Sequence, residues 1–178
     1  MEGNITEPIT EPITEPISEP ITEPITQPIS SYKLQGKIKK FDKKLYDKYD
    51  IPARNKIQKQ LGDYVKDNPD IYAQDMLLEI PNYRYKYLEL QVCTAWTSES
   101  YPYKYPYIYE RKKHFSEDTL YIIFNKNMTR GLLFNNKSID EKPHRIKKYS
   151  RTYVYNIPWN RILPININDL DMETIMLY

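Results

Sequence analysis

The chain has 178 residues, of which 40% are hydrophobic and 28% charged, and its formal net charge is +2. Its single cysteine, Cys93, excludes an intramolecular disulfide framework, and its two histidines have no cysteine or histidine partner at zinc-ligand spacing. Four glycines in the whole chain are too few for a phosphate-binding glycine loop, and no window reaches the apolar length of a transmembrane helix.

The first 31 residues are a low-complexity tail. Residues 5–28 consist of six tetrapeptides of the type Ile-Thr-Glu-Pro. Proline at every fourth position removes amide donors and disfavours the helical conformation of the preceding residue, so neither a helix nor a sheet strand is expected. The prediction is a disordered, partly polyproline-like tail over residues 1–31, followed by a single globular domain over residues 32–178.

The globular part is basic. Residues 1–31 carry six glutamates and no lysine or arginine, so residues 32–178 hold 26 basic and 18 acidic residues, a net charge of +8. One cluster runs from Arg111 to His114, and a second consists of Arg145, Lys147, Lys148 and Arg151. Basic clusters neutralise phosphates, so nucleic acid is the expected partner, with the second cluster as its binding residues; a solvated lysine-rich surface is the alternative.

The first predicted elements are helical. Residues 32–50 carry apolar residues at helical spacing, which predicts a short helix or an ordered arm. Pro52 is typical of the first turn of a second helix. An apolar stripe predicts that this helix continues to Asn68-Pro69; its members are Ile57, Leu61, Tyr64 and Val65.

A β-hairpin is predicted next, from Asp75 through the turn at Pro81-Asn82 to Val92. Side chains alternate along a strand, so Glu89 and Gln91 lie on one face together with Tyr83, Tyr85 and Tyr87, whereas Leu88, Leu90 and Val92 form the apolar face. Asp75 opens the partner strand and is expected to approach Glu89. Two carboxylates at this separation are a candidate Mg²⁺ site, because Mg²⁺ prefers oxygen ligands.

A tyrosine-rich segment follows the hairpin. Residues 101–109 contain five tyrosines at a period of two, and prolines at positions 102 and 106 exclude a central strand. The rings are predicted to cover the sheet as an aromatic flank. The alternative is that rings interleaved with Lys104 stack on nucleic-acid bases.

The remaining elements complete a mixed α/β (α+β) fold. The pattern predicts a helix beginning within residues 107–115, core strands at 120–124 and 131–134, a polar loop at 135–150 and a strand at 151–155. A buried turn is expected at 157–159, and Asn168 is expected to cap a final helix that carries Leu170, Ile175 and Leu177. The predicted architecture is a mixed β-sheet flanked by helices.

The hairpin and its neighbours resemble the PD-(D/E)xK, or restriction-endonuclease-like, nuclease superfamily over roughly residues 50–135. In that family an acidic residue starts one hairpin strand and a Glu-x-Lys tripeptide ends the next, within an α-β-β-β-α-β core. The matching positions are Asp75, Glu89, Leu90 and Gln91. Asp70, in the literal Pro69-Asp70 pair, is a second candidate for the first acidic position.

The resemblance implies a Mg²⁺-dependent nuclease acting on DNA. Asp75 and Glu89 would hold the metal together with the carbonyl of Leu90, and Asp75, Glu89 and Gln91 would be the catalytic set. Gln91 departs from the family, which usually has a lysine at this position. The family helix often supplies a further carboxylate, and Asp63 was the only candidate in the predicted helix.

Two other functions fit the sequence. One is a non-catalytic module that binds nucleic acid or protein, favoured by Gln91; the other is a viral structural protein without a site. The abundance of Lys, Ile, Asn and Tyr resembles the composition of large DNA viruses or A/T-rich protists. Because the N-terminus lacks the basic and apolar regions of a signal peptide, an intracellular, non-membrane location is expected, in the host cytoplasm or the virion if the chain is viral.

Overall fold

The computed structural model of the protein describes residues 42–146 and 152–178. The predicted tail, residues 1–31, lies outside these ranges, and so do Lys147, Lys148 and Arg151 of the second basic cluster. The described chain is a mixed α/β fold with a mixed sheet, as the sequence predicted, and it also contains a second, three-stranded sheet that was not predicted. Within these ranges, no helix has the length and apolar character needed to cross a bilayer.

Nine strands are assigned in the described ranges: β1 (Val65–Asp67), β2 (Met76–Leu78), β3 (Tyr87–Cys93), β4 (Tyr107–Tyr109), β5 (Thr119–Asn125), β6 (Arg130–Asn135), β7 (His144–Arg145), β8 (Tyr153–Asn156) and β9 (Leu163–Asn166). The α-helical segments are α1 (Lys43–Leu45), α2 (Ile51–Leu61), α3 (Glu110–Lys113) and α4 (Met172–Met176). Single 3₁₀ turns occupy Gly62–Tyr64, Asn136–Ser138, Trp159–Arg161 and Ile167–Asp169.

The larger sheet has six strands in the order β1-β2-β3-β5-β6-β9. All neighbours in it are antiparallel except β3 and β5, which run parallel in a register that joins Glu89 to Tyr121. Parallel neighbours require a crossover connection, and here the chain crosses through β4 and α3. The smaller sheet, β4-β8-β7, is antiparallel and contains the end of the tyrosine-rich segment.

The six-stranded sheet has an apolar cluster on each face. Leu88 and Leu90 of β3 pack with the buried residues of α2, which are Ala53, Ile57 and Leu61. Alternate residues of β5 belong to the other cluster, where Tyr121 and Ile123 pack with Ile108 of β4. Every residue of β5 is buried, which confirms the predicted core strand.

The first helical region is continuous and less regular than predicted, and it ends earlier. A π-helical turn, Tyr46–Asp50, joins α1 to α2, and Asp42 caps α1 by accepting the amides of Lys44 and Leu45. The helix ends at Gly62 rather than at Asn68-Pro69. Gly62 has φ +57° and ψ −131°, a conformation that only glycine adopts readily, so the chain leaves the helix before Val65, which begins β1.

The predicted hairpin is confirmed, but its alternation is shorter than expected. Met76 pairs with Leu88 and Leu77 with Tyr87, whereas residues 79–86 form no strand and include Asn82 at φ +58°. Regular alternation therefore begins only at Tyr87. Tyr85 is buried in the cluster that contains Leu88, so the prediction that Tyr83 and Tyr85 share the face of Glu89 is wrong.

The last elements depart from the prediction in three ways. Asp171, not Asn168, caps the final helix, because its carboxylate accepts the amide of Thr174 at 2.8 Å. Leu177 is 70% exposed instead of contributing to the core. The strand β9 was not predicted, since Pro164 within it argues against a strand; β9 is tolerated because it lies at the sheet edge.

Candidate active site

Asp75, Glu89 and Leu90 meet where β2 begins beside the middle of β3. The amide of Asp75 donates to Glu89 Oε2 at 3.2 Å, and the amide of Leu90 donates to Asp75 Oδ2 at 2.8 Å. Both contacts follow from the antiparallel register that pairs Met76 with Leu88. The structure therefore brings together the two carboxylates and the Leu90 peptide that the sequence pattern singled out.

Glu89 lies in the protein interior and not on a solvated face. Its side chain is 4% exposed, because α3 covers this side of β3. Lys112 of α3, 6% exposed, forms an ion pair with Glu89 Oε1 and donates from Nζ to the carbonyl oxygen of Leu90 at 2.5 Å. The ammonium thus contacts both the carboxylate and the carbonyl that were predicted as metal ligands.

Burial governs the protonation of Glu89. The pKa of Glu89 is raised to about 7, chiefly by desolvation; the positive charge of Lys112 opposes this shift, and the negative charge of Asp75 adds to it. Removing a carboxylate from water disfavours its charged form, and a neighbouring anion acts in the same direction. Perturbed carboxyl groups of this kind concentrate at functional sites.

Asp75 is held by an arginine of α2. Arg54 Nη2 lies 2.6 Å from Asp75 Oδ1, and Nη1 donates to the backbone carbonyl of Asp75. The two side chains are 15% and 16% exposed, so the pair sits at the rim of the site. Arg54 Nη1 also reaches Asp67 Oδ1 at 3.3 Å, which fixes the strand ends on both sides of the loop that precedes β2.

The charge of a third carboxyl group, Asp50, interacts with Asp75, Lys112 and Arg54. Burial raises the pKa of Asp50, repulsion from Asp75 raises it further, and Lys112 and Arg54 oppose these effects. Asp50 ends the π-helical turn one helical turn before Arg54. Such π-turns occur frequently at functional sites. Asp63, the candidate considered from the sequence, instead lies in the 3₁₀ turn beyond Gly62.

Gln91 does not contact either carboxylate in the hydrogen bonds of the described chain. Its Nε2 donates to the carbonyl oxygen of Tyr107 in β4 at 2.9 Å. The amide therefore ties β3 to the second sheet. The charged group beside Glu89 is Lys112, which reaches it from a different element.

The other predicted residues lie elsewhere. Asp70 is an exposed loop residue whose carboxylate accepts the amide of Tyr72 at 2.9 Å. Arg145 is exposed on β7, and the remaining three members of its cluster lie outside the described residues. An open groove of about 890 Å³ is lined by other residues, among them Trp96, Tyr101, Arg130 and Trp159.

Sequence reasoning missed Arg54, Asp50 and the individual role of Lys112. Lys112 was noted only as a member of a basic run, since nothing in the run distinguishes a buried lysine from its exposed neighbour Arg111. The usable signal was the spacing of Asp50 and Arg54, four residues apart around a first-turn proline, which places both on one helix face.

The side chains of the described ranges include no group of three or more His, Cys, Asp or Glu residues arranged to hold a metal ion. The oxygen donors at the site are carboxylates and one carbonyl, which suit Mg²⁺ chemically. In comparisons with known proteins, no family model, curated protein or solved structure matches this chain.

Proposed function

We propose that the protein is a Mg²⁺-dependent nuclease of the PD-(D/E)xK type, in which Lys112 supplies the ammonium that the family usually carries two residues after Glu89. The contact of Lys112 Nζ with both Glu89 and the Leu90 carbonyl carries this proposal. In this proposal the positive charge comes from α3, and the glutamine at position 91 is compatible with catalysis. The order of elements from α2 through β1, β2, β3, β4, α3 and β5 also supports an α-β-β-β-α-β core, to which β4 of the smaller sheet is added before α3.

The residues fit a hard divalent cation by the chemistry of their donors. Asp75, Glu89 and the Leu90 carbonyl would hold Mg²⁺, with Asp50 as a further carboxylate nearby. Bound Mg²⁺ acidifies a coordinated water and stabilises negative charge on the phosphate. Lys112 stabilises the charge that develops on the phosphate, and Arg54 orients the carboxylate of Asp75.

The first test is the replacement of Asp75 by asparagine, which keeps the side-chain volume and removes the charge. We expect Asp75→Asn to lose Mg²⁺-dependent cleavage of a fluorescently labelled DNA oligonucleotide by about 100-fold or more, the size of effect that a group stabilising the transition state has. The matched control is Asp70→Asn, an exposed aspartate five positions earlier, which should cleave like the unmodified chain. Loss of cleavage in Asp70→Asn alone would move the first acidic position to Asp70.

A non-catalytic nucleic-acid-binding module is the second candidate. The observation that favours it is that Arg54 and Lys112 already neutralise the two carboxylates inside the fold. A chain that binds DNA yet shows no cleavage with either Mg²⁺ or Mn²⁺ would establish this function instead.

A further inference from the structure

Aromatic rings form a connected row beside the candidate active site. We call the row the aromatic ladder; its members are Tyr101, Tyr103, Tyr107, Tyr109 and Trp159. Neighbouring ring centroids lie 5.6–6.1 Å apart, and Tyr101 contacts Trp159 at 5.8 Å. Four of the five tyrosines in residues 101–109, all but Tyr105, thus form one continuous aromatic feature with Trp159.

The ladder is held in place by hydrogen bonds to two backbone carbonyls of the tyrosine-rich segment. Trp159 Nε1 donates to the carbonyl of Lys104 at 2.9 Å, and the amide of Ile157 donates to the carbonyl of Pro106 at 2.8 Å. The pairing of β4 with β8 continues this connection. Rings that are fixed before a ligand arrives lose little conformational entropy on binding, which favours affinity.

Part of this aromatic surface faces solvent. Tyr103 is 44% exposed and Trp159 is 42% exposed, and Tyr105, on the same segment, is 40% exposed. Burial in the core therefore accounts for only part of the surface of these rings. Cations lie among them: Lys104 Nζ stands 5.3 Å from the ring centroid of Tyr105, and Arg161, in the 3₁₀ turn of Trp159, is exposed.

The ladder adjoins the carboxylate site through two connections. Gln91, two residues after Glu89, donates to the carbonyl of Tyr107, and Tyr109 immediately precedes the helix that carries Lys112. The ladder is therefore joined directly to the strand that bears Glu89 and to the helix that bears Lys112.

We infer that the aromatic ladder, together with the exposed ring of Tyr105 on the same segment, is a stacking platform for single-stranded nucleic acid, in which Tyr103, Tyr105 and Trp159 stack on bases while Lys104 and Arg161 pair with phosphates. Rings alternating with cations are the combination that binds single strands without sequence preference. Single strands are favoured over duplexes because the base faces of a duplex are already stacked on each other. The net charge of +8 on residues 32–178 complements the phosphates. The inference that the bound strand is also cleaved rests on the proposed function. The inference that the ladder binds a single strand does not depend on it.

Binding of the full chain to a fluorescein-labelled dT oligonucleotide of about 15 nucleotides tests this inference. The measurement is made by fluorescence anisotropy with EDTA present, so that no cleavage occurs, and at low salt. We expect Tyr103→Ala and Tyr105→Ala each to weaken binding by about fivefold or more, the equivalent of one lost base stack. Tyr103→Phe should bind like the unmodified chain, since it keeps the ring. Tyr64→Ala is the matched control, because Tyr64 is 47% exposed and lies outside the ladder.

Several results would overturn the inference. These are unchanged affinity in both alanine variants, equal or tighter binding of the matching duplex, absence of binding to dT at low salt, or binding of a proline-rich peptide on these rings in place of the oligonucleotide. Ring-dependent binding by a chain that cleaves nothing would support the ladder and refute the nuclease. Intact cleavage with unchanged affinity in the ring variants would support the nuclease and refute the ladder.

Discussion

Replacement of Lys112 by methionine is expected to reduce Mg²⁺-dependent DNA cleavage by about 10²- to 10³-fold, the usual effect of removing one group that stabilises charge in a transition state. Methionine keeps most of the side-chain length but cannot donate to Glu89 or to the Leu90 carbonyl. The measurement is the single-turnover rate at saturating protein, divided by the folded fraction from circular dichroism. This normalisation matters because the substitution also destabilises the fold.

The neighbouring lysine provides the control for this prediction. Lys113 is half-buried and donates to Asn136 Oδ1 at 3.3 Å, away from the carboxylates, so Lys113→Met should keep the rate of the unmodified chain. Gln91, two residues after Glu89, is the alternative catalytic side chain and is tested by Gln91→Ala. If Gln91→Ala removes cleavage while Lys112→Met keeps it, Gln91 is the catalytic side chain and the assignment to Lys112 is wrong.

The second large effect concerns stability. Lys112→Met is expected to lower the free energy of unfolding by about 3–5 kcal/mol, because it leaves the Glu89 carboxylate buried without its cation. The double variant Glu89→Gln with Lys112→Met should recover part of this loss, since neither buried side chain then carries a charge. Urea unfolding of the unmodified chain, both single variants and the double variant gives the coupling between the two sites.

The loss in Lys112→Met should also depend on pH. Burial raises the pKa of Glu89 to about 7 even with Lys112 present, whereas an unfolded glutamate titrates near pH 4.3. A carboxyl group whose pKa is higher in the folded state stabilises the fold fully below its unfolded pKa, and this contribution is lost as the pH rises through the folded value. Lys112→Met should therefore lose stability as the pH rises from about 4.3 through 7 and beyond, and the double variant should not. Parallel pH curves for the two variants would contradict the assignment of the titration to Glu89.

The elements that depend on local pattern were predictable from the sequence. Burial on a regular strand or helix explains three local patterns: the alternation in β3, the continuous apolar run in β5 and the apolar stripe of α2. The first of these patterns placed Glu89 and Leu90 on the second strand of the hairpin, where the structure has them.

The elements that depend on distant contacts were not predictable. Lys112 reaches Glu89 only because the crossover to β5 folds α3 over β3, and no local pattern encodes that reach. Asp50 is the last residue of a π-helical turn. The periodicity of the sequence does not reveal where such a turn lies. The burial of Tyr85 with Leu88 follows from the irregular backbone of residues 79–86, where regular alternation fails.

The claim that Asp75, Glu89 and Lys112 form a catalytic site is tested most directly by the cleavage rate of Glu89→Gln. This substitution preserves shape and removes the charge that would bind Mg²⁺ beside the Lys112 ammonium. The unmodified chain is tested on single- and double-stranded DNA and should cleave with Mg²⁺ but not with EDTA. Folded Glu89→Gln should cleave neither DNA, with Mg²⁺ or with EDTA. Cleavage by folded Glu89→Gln at the rate of the unmodified chain, or no cleavage by the unmodified chain with Mg²⁺ or Mn²⁺, would contradict the account.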